Sequence, residues 1–466
     1  MAQANTIDVS RLIDERKMNA FNAQLVILSF FVALLDGYDI LAAAVAVPNL
    51  KAAWNIADMR PVGWMLSASL VGILFGAPSF GYIGDRFGRK KAIIGSCLTF
   101  GIFTLAATKA GSISDLMILR FLAGTGIGGI FPNIIALNAE FAPKRVRATM
   151  IILMFTGVTF GGVLPGIVSV WLVPSYGWQV LFFLGGVLPI AICVAVQLWL
   201  PESIKFLVLK TQDRTRIAGL AQRLSPRLAV GPETRFIVRE EEVFSGFPLK
   251  HLFAGGLRYL TPLLWVLFIC NQMAFYFSNS WMPTVLSSAS VSPASAQIAT
   301  SLFQLGGTIG GLLLSLPLNK QGLMPVALLF AASLPIVGSI GFMTGSIPLL
   351  MLIVFLAGFC LLGLQFGLNA TSAILYPTAI RSNGSGWAFG IGRFGSISGP
   401  VIGGYLIAMQ LPLYQIFLLL LIPLGIGTIA SVMIMRAMRG LPVRFERPSG
   451  FRHRSFAYLA EAKSPQ

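Results

Sequence analysis

Twelve apolar stretches, separated by short polar breaks and one long one, run the length of the chain. They lie near residues 23–48, 60–83, 91–108, 115–138, 149–171, 179–200, 260–287, 294–316, 323–343, 347–374, 384–408 and 412–435. Each is about 20 residues long, the length that carries an α-helix across a hydrocarbon core of roughly 30 Å. The pattern predicts an all-α integral membrane protein with twelve transmembrane helices. The first stretch follows a polar arm, is longer than the apolar region of a cleavable leader and holds two acids, so no cleaved leader is expected.

Laid over itself at an offset of 234 residues, the chain matches in one register. Phe121-Leu-Ala-Gly124 meets Phe355-Leu-Ala-Gly358, Gly129 meets Gly363, and Gly161 meets Gly395. Pro143 and Arg147 meet Pro377 and Arg381, while Asp85, Arg86 and Gly88 meet Asn319, Lys320 and Gly322. Five groups in one register predict two pseudo-symmetric six-helix bundles. The expected organisation is an arm at 1–22, a bundle at 23–200, a linker at 201–259, a second bundle at 260–436 and a tail at 437–466. Duplicated helical halves are the build of carriers that rock about a site at mid-membrane. A pore or a membrane enzyme has no need of them.

Composition agrees: 56% of the 466 residues are hydrophobic and only 11% charged, against about 25% charged in a soluble domain. The net charge of +17 reports topology. Of 34 Lys and Arg, three (Lys51, Arg60, Lys109) fall in one set of connections and two (Arg120, Arg393) within apolar stretches; the other 29 fall in the arm, the alternate connections and the tail. Basic loops face the cytoplasm, so both termini and the linker are expected there, attracted to anionic membrane lipid; no nucleic-acid partner is expected. The linker, with Glu240-Glu-Glu242 and ten basic residues, reads as a solvated segment with short helices at the membrane surface. Cys97, Cys193, Cys270 and Cys360 all lie in apolar stretches as small hydrophobes. No metal, cofactor or disulfide framework is expected.

Two acids interrupt the first stretch, in LLDGYDIL. Asp36 and Asp39 are three residues apart and share a helix face. A carboxyl group near the bilayer centre costs at least a few kcal/mol, and such groups face cavities or ion paths; a proton-coupled carrier needs such a group. The alternative is a structural pair, neutralised by an arginine or capping a helix broken at Gly37. His251 and His453 lie outside the apolar stretches and do not compete for the proton. Arg393, flanked by Gly392 and Gly395, falls near mid-membrane, where a guanidinium can grip a carboxylate with two parallel hydrogen bonds; otherwise it is a counter-ion for Asp36 or Asp39. Asn133, Asn138, Gln304, Gln365 and Asn369 are amides inside apolar stretches, and Tyr38, Phe275, Tyr276, Phe277 and Trp281 supply rings. Of these, Tyr38, Asn133, Gln304 and Asn369 are the expected substrate contacts beside Arg393. Singly, each ring is more often a packing residue. The run GTGIGG follows no strand, so it is no phosphate loop.

The connection GYIGDRFGRKKAII carries Gly81, Asp85, Arg86, Gly88 and Arg89 in the pattern G-x-x-x-D-R-x-G-R-K. It resembles the signature loop of the major facilitator superfamily, where it latches helices against one another; the alternative is a plain basic stop signal. The second copy, Asn319-Lys320, has lost the acid, so a second latch is not expected. DGYD, RFLAGTGIGGIFPNIIALNAEFAPKRVRAT, LPES at 200–203 and YPTAIRSNGSGWAFGIGRFGSISGP resemble the aromatic acid:proton symporter family, from about residue 25 to 410. That resemblance implies the major facilitator fold and import of a benzoate-like aromatic carboxylate with protons across the cytoplasmic (inner) membrane, by a monomer that is not an enzyme. It also implies a coupling role for Arg120 with Asp36 and Asp39; the alternative is an arginine snorkelling to the interface. Glu140 is expected to form a gate salt bridge with Arg147 or another loop arginine, and Arg381 to serve as a loop or gate residue. Two alternatives stay open: a carrier for another organic anion or a sugar, since LPESIKFL also resembles sugar carriers, and a non-transporting receptor or enzyme.

Overall fold

Every one of the twelve apolar stretches is a helix in the computed structural model, which describes residues 6–16, 18–143, 145–225, 234–238, 252–253, 257–288, 291–321, 323–376, 381–440, 445–446 and 455–456. In chain order they are α1 (Ala20–Ala53), α2 (Arg60–Phe87), α3 (Arg89–Ala106), α4 (Ile113–Phe141), α5 (Arg147–Trp171) and α6 (Gln179–Trp199). Then come α7 (Leu257–Ser288), α8 (Pro293–Gln321), α9 (Met324–Ser339), α10 (Ile347–Leu375), α11 (Arg381–Ala408) and α12, which runs as Leu413–Leu419 and Leu421–Gly440. Among the described residues, eleven helices are long and apolar enough to cross a membrane. The exception is α11, whose Gly- and Ser-rich sequence around Arg393 lowers its hydropathy. It is a helix nonetheless, because lipid and packing neighbours leave backbone groups no other partners.

Tertiary contacts divide the chain into two units. The first comprises 1–42, 68–164 and 172–243; the second comprises 43–67, 165–171 and 244–466. The repeat read from the sequence recurs in the packing of each unit. In the first, a Cβ on Gly72 would strike the Phe121 carbonyl and one on Gly124 the Ser69 carbonyl, so α2 and α4 touch backbone to backbone. In the second, Gly306 stands likewise against the Phe355 carbonyl and Gly358 against that of Phe303, joining α8 to α10. The two contacts of the second unit are those of the first displaced by 234 residues, with Phe303 at the position of Ser69. Small residues permit such approaches where apolar side chains have no hydrophobic reason to prefer helix over lipid.

Gly124→Val and Gly358→Val must push whole helices apart, and overpacking typically costs about 1–3 kcal/mol. Both variants are expected to show less folded protein in the membrane and a lower melting temperature by fluorescence-detected gel filtration. Gly425→Ala, which meets nothing within 4 Å, is expected to match the wild type.

Residues 6–16 of the polar arm are folded. β1 (Thr6–Asp8) pairs in parallel with β2 (Arg235–Ile237) of the linker, and Asp8 caps the helix Val9–Glu15 by accepting from the Ser10 amide. Arg16 then donates to the Phe141 carbonyl at 2.7 Å and the Leu224 carbonyl at 3.4 Å. Those carbonyls end α4 and the linker helix Arg214–Leu224, where a cation is favourable. Burial lowers the Arg16 guanidinium to about 10, still protonated at neutral pH.

Candidate functional site

In the first unit, α1 carries Asp36 and Asp39 on one face, 5% and 1% exposed. Asp39 Oδ1 accepts from Arg120 Nη1 at 2.5 Å, and Arg120 Nη2 donates to Ser69 Oγ at 3.1 Å and reaches the Asp39 carbonyl at 3.4 Å. Arg120 is 1% exposed, so it does not snorkel to an interface. The small residues that follow it explain how so large a side chain fits: with Gly124 against Ser69, α2 and α4 close around the guanidinium. Asp39 and Arg120 form a fully buried ion pair, in which either charge alone is far more costly than both together.

Two expected contacts are placed elsewhere. The Tyr38 hydroxyl donates to the Leu181 carbonyl at 3.0 Å, and its ring packs against Gly185. One residue off the aspartate face, it is turned into the bundle. Asn133 stands thirteen residues after Arg120, about 20 Å along the helix. Its amide donates to the Phe80 and Gly129 carbonyls at 3.0 and 2.8 Å and lies against Gly84. It thus ties α2 to α4 beside the signature loop, not beside the carboxylates. Asn138 similarly donates to Ser29 Oγ at 2.7 Å.

The loop residues form a continuous polar network. Arg89 contacts Asp85 at 2.5 Å and Glu140 at 3.8 Å. Ser203 Oγ donates to the Glu140 carboxylate, and the Ser203 and Lys90 amides donate to Glu202 Oε1 at 2.9 and 3.1 Å. Gly88 has φ +108° and faces the Glu202 carboxylate, a position open to glycine alone. Gly81, by contrast, meets nothing within 4 Å. The loop arginine facing Glu140 is therefore Arg89; Arg147 instead stands 4.0 Å from Asp14. Arg86 donates to the Tyr82 hydroxyl at 2.7 Å. Glu202 and Ser203 were not among the expected site residues, although LPES contains them. Arg381 opens α11, but its side chain, like those of Asn319 and Lys320, lies outside the described residues.

In the second unit, half-buried Arg393 holds its guanidinium carbon 4.7 Å from the centre of the Phe389 ring. No carboxylate among that unit's described residues lies within ion-pair distance of it. A Cβ on Gly392 would stand 2.6 Å from Gln272 Nε2, so α7 passes beside the arginine. Gln304 donates to Asn279 Oδ1 at 2.9 Å, and Asn271 donates to Gln365 Oε1 at 3.2 Å. Both polar atoms of Gln272 and one each of Asn271, Asn279 and Gln365 are buried without a hydrogen-bond partner. Such atoms are uncommon in native interiors, and together they offer donors and acceptors for a polar ligand. Asn369, one turn after Gln365, is exposed. Sequence reasoning missed Asn271, Gln272 and Asn279; the signal was their spacing in α7, with 272 and 279 on one face.

A model of the Major Facilitator Superfamily matches residues 29–289. The chain is 35% identical over 418 residues to a gallate transporter of Pseudomonas putida, covering 90% of this chain and 92% of that one. It is 31% identical over 428 residues to the 4-hydroxybenzoate transporter PcaK of Pseudomonas putida, covering 92% and 95%. It is 32% identical over 438 residues to a benzoate transport protein of Acinetobacter baylyi, covering 92% of each. Among solved structures, the partially occluded, inward-open xylose transporter XylE from E. coli shares the fold with a TM-score of 0.66 at 14% identity, covering 90% of this chain and 98% of that one.

Proposed function

Because the chain belongs to the Major Facilitator Superfamily and is an integral, multi-pass transporter of its aromatic-acid branch, we propose that it imports a benzoate- or hydroxybenzoate-like carboxylate together with protons. It is a carrier and not an enzyme, as the relatives named above are. On this reading it works as a monomer in the cytoplasmic membrane, with its termini and basic connections in the cytoplasm and anionic lipid around them.

The observation that carries the proposal is the buried Asp39–Arg120 pair in a chain whose relatives carry aromatic acids. A proton arriving on Asp39 cancels its charge and breaks the ion pair, leaving the guanidinium of Arg120 uncompensated. The interior of the first unit then carries one more positive charge, which favours uptake of an anion with the proton. Within the second unit, Arg393 supplies the two parallel N–H donors that a carboxylate accepts, and the amides of Asn271, Gln272 and Asn279 supply partners for ring hydroxyls. Proton and anion thereby strengthen one another's binding, and the coupling is reciprocal. Asp36, one turn before Asp39, is a second carboxyl for the same task. The Asp85–Arg89–Glu140–Ser203 network acts as the latch that must part when the carrier changes state.

The test is uptake into cells expressing the protein, using labelled 4-hydroxybenzoate, benzoate, gallate and xylose with and without a protonophore. At least one aromatic acid is expected to accumulate above its external concentration, and the protonophore is expected to abolish that accumulation. Accumulation that survives the protonophore removes proton coupling. Uptake of xylose with no aromatic acid carried overturns the substrate class.

A further inference from the structure

At the basic end of the first unit lies a cleft of about 700 Å³ that the transport reading does not use. Five cations line it: Arg86, Lys90 and Lys91 from the connection between α2 and α3, and Arg216 and Arg223 from the linker helix. The only acid among the lining residues is Glu202, and its Oε1 already accepts from two backbone amides. Arg216 pairs with Asp213 at 3.2 Å, and Lys90 Nζ donates to the Gln197 carbonyl at 2.7 Å. Arg86 is held between its own neighbours, donating to the Tyr82 hydroxyl, with its guanidinium 5.5 Å from the Phe87 ring centre. Lys91 and Arg223 have no ion-pair partner among the described residues. Converging cations with so little compensation repel one another unless an anion sits among them.

Phe87 lines the cleft, Trp199 lies in sequence between the lining residues Gln197 and Pro201, and Tyr82 accepts from the lining Arg86. Phe87 ends α2 and Trp199 ends α6, and together with Tyr82 these rings are 52–60% exposed. Aromatic rings at helix ends sit at the headgroup level of a bilayer, and basic pockets on the cytoplasmic side receive acidic headgroups. We propose that this cleft is a binding site for a phosphate-bearing anion, either the headgroup of an acidic phospholipid or free phosphate, with the exposed rings favouring the lipid. The inference rests on membrane placement and not on the substrate or its coupling to protons. It ties the linker helix to the connection that carries the Asp85–Arg89 contact, so an occupied site braces the latch.

The test uses the full-length protein in detergent, with lipid retention followed by native mass spectrometry and stability by thermal shift. The probes are dioleoyl phosphatidylglycerol, dioleoyl phosphatidylcholine and inorganic phosphate. Lys91→Gln with Arg223→Gln removes two cleft cations; Lys210→Gln with Arg214→Gln removes the same charge from the linker outside the cleft. Phosphatidylglycerol is expected to bind the wild type and the control variant alike. The cleft variant is expected to bind it roughly thirtyfold more weakly, the loss for two cations beside an anionic headgroup. Stabilisation by inorganic phosphate that disappears in the cleft variant, without selective lipid retention, assigns the same site to free phosphate. The proposal is overturned if the cleft and control variants respond alike to both probes, or if phosphatidylcholine is held as tightly as phosphatidylglycerol.

Discussion

Asp39→Asn is expected to abolish accumulation of substrate against its gradient, because the variant cannot carry a proton on that side chain. It also strands Arg120, which is 1% exposed and whose ion pair among the described residues is with Asp39. Removing one partner of a buried ion pair costs about 3–5 kcal/mol, so the single variant should also reach the membrane at reduced levels. Asp39→Asn combined with Arg120→Gln removes both charges and keeps both hydrogen-bonding shapes. Folded protein should then return towards the wild-type amount while accumulation stays absent. The comparison separates a structural pair from a coupling pair: level is read by quantitative immunoblot of membranes, and coupling by uptake with an imposed pH gradient. If the double variant accumulates substrate as the wild type does, the pair is structural and the proton travels elsewhere. Asp36→Asn tests the nearest alternative carrier of the proton and should by itself leave the Asp39–Arg120 contact in place.

Arg393→Lys is expected to weaken aromatic-acid binding by roughly 10- to 100-fold, although the charge is kept. A charge-assisted hydrogen bond contributes about 1.5–3 kcal/mol, and an ammonium cannot present the planar pair of donors that a carboxylate accepts. The substitution also surrenders the stack on Phe389. Titration of 4-hydroxybenzoate onto purified protein across a range of pH measures this directly. If proton and anion binding reinforce one another, wild-type affinity should be higher at lower pH, and Asp39→Asn should flatten that dependence. Wild-type affinity in Arg393→Lys would leave Arg393 as a packing residue over Phe389.

How much of this was legible beforehand differs from element to element. The twelve helices were, because a run of about 20 apolar residues has one stable conformation in lipid. So was the duplication: the 234-residue offset seen in FLAG returns as the paired contacts of Gly72 with Phe121 and Gly306 with Phe355. The break in α12 at Leu420 and the folding of the arm onto the linker were not legible, since neither the apolar run at 412–435 nor the polar arm carries a signal of where it bends or docks.

Side-chain partners were the part that only tertiary structure decided. Asp36 and Asp39 stood out by their cost in lipid, and Arg120 by the same argument, yet both Arg120 and Arg393 were possible partners until helix packing set Arg120 2.5 Å from Asp39. Glu140 could have met Arg147, seven residues on, and meets Arg89, fifty-one residues back. Tyr38 and Asn133 looked like lining residues and are turned into helix contacts, while Gln272 and Asn279, which did not stand out in the sequence, are buried with polar atoms unsatisfied. In a soluble helix the apolar stripe marks the buried face. Here lipid-facing and core-facing sides are both apolar, so the sequence determines that a segment is a helix and leaves its rotation undetermined; that rotation is decided where glycines let two backbones touch.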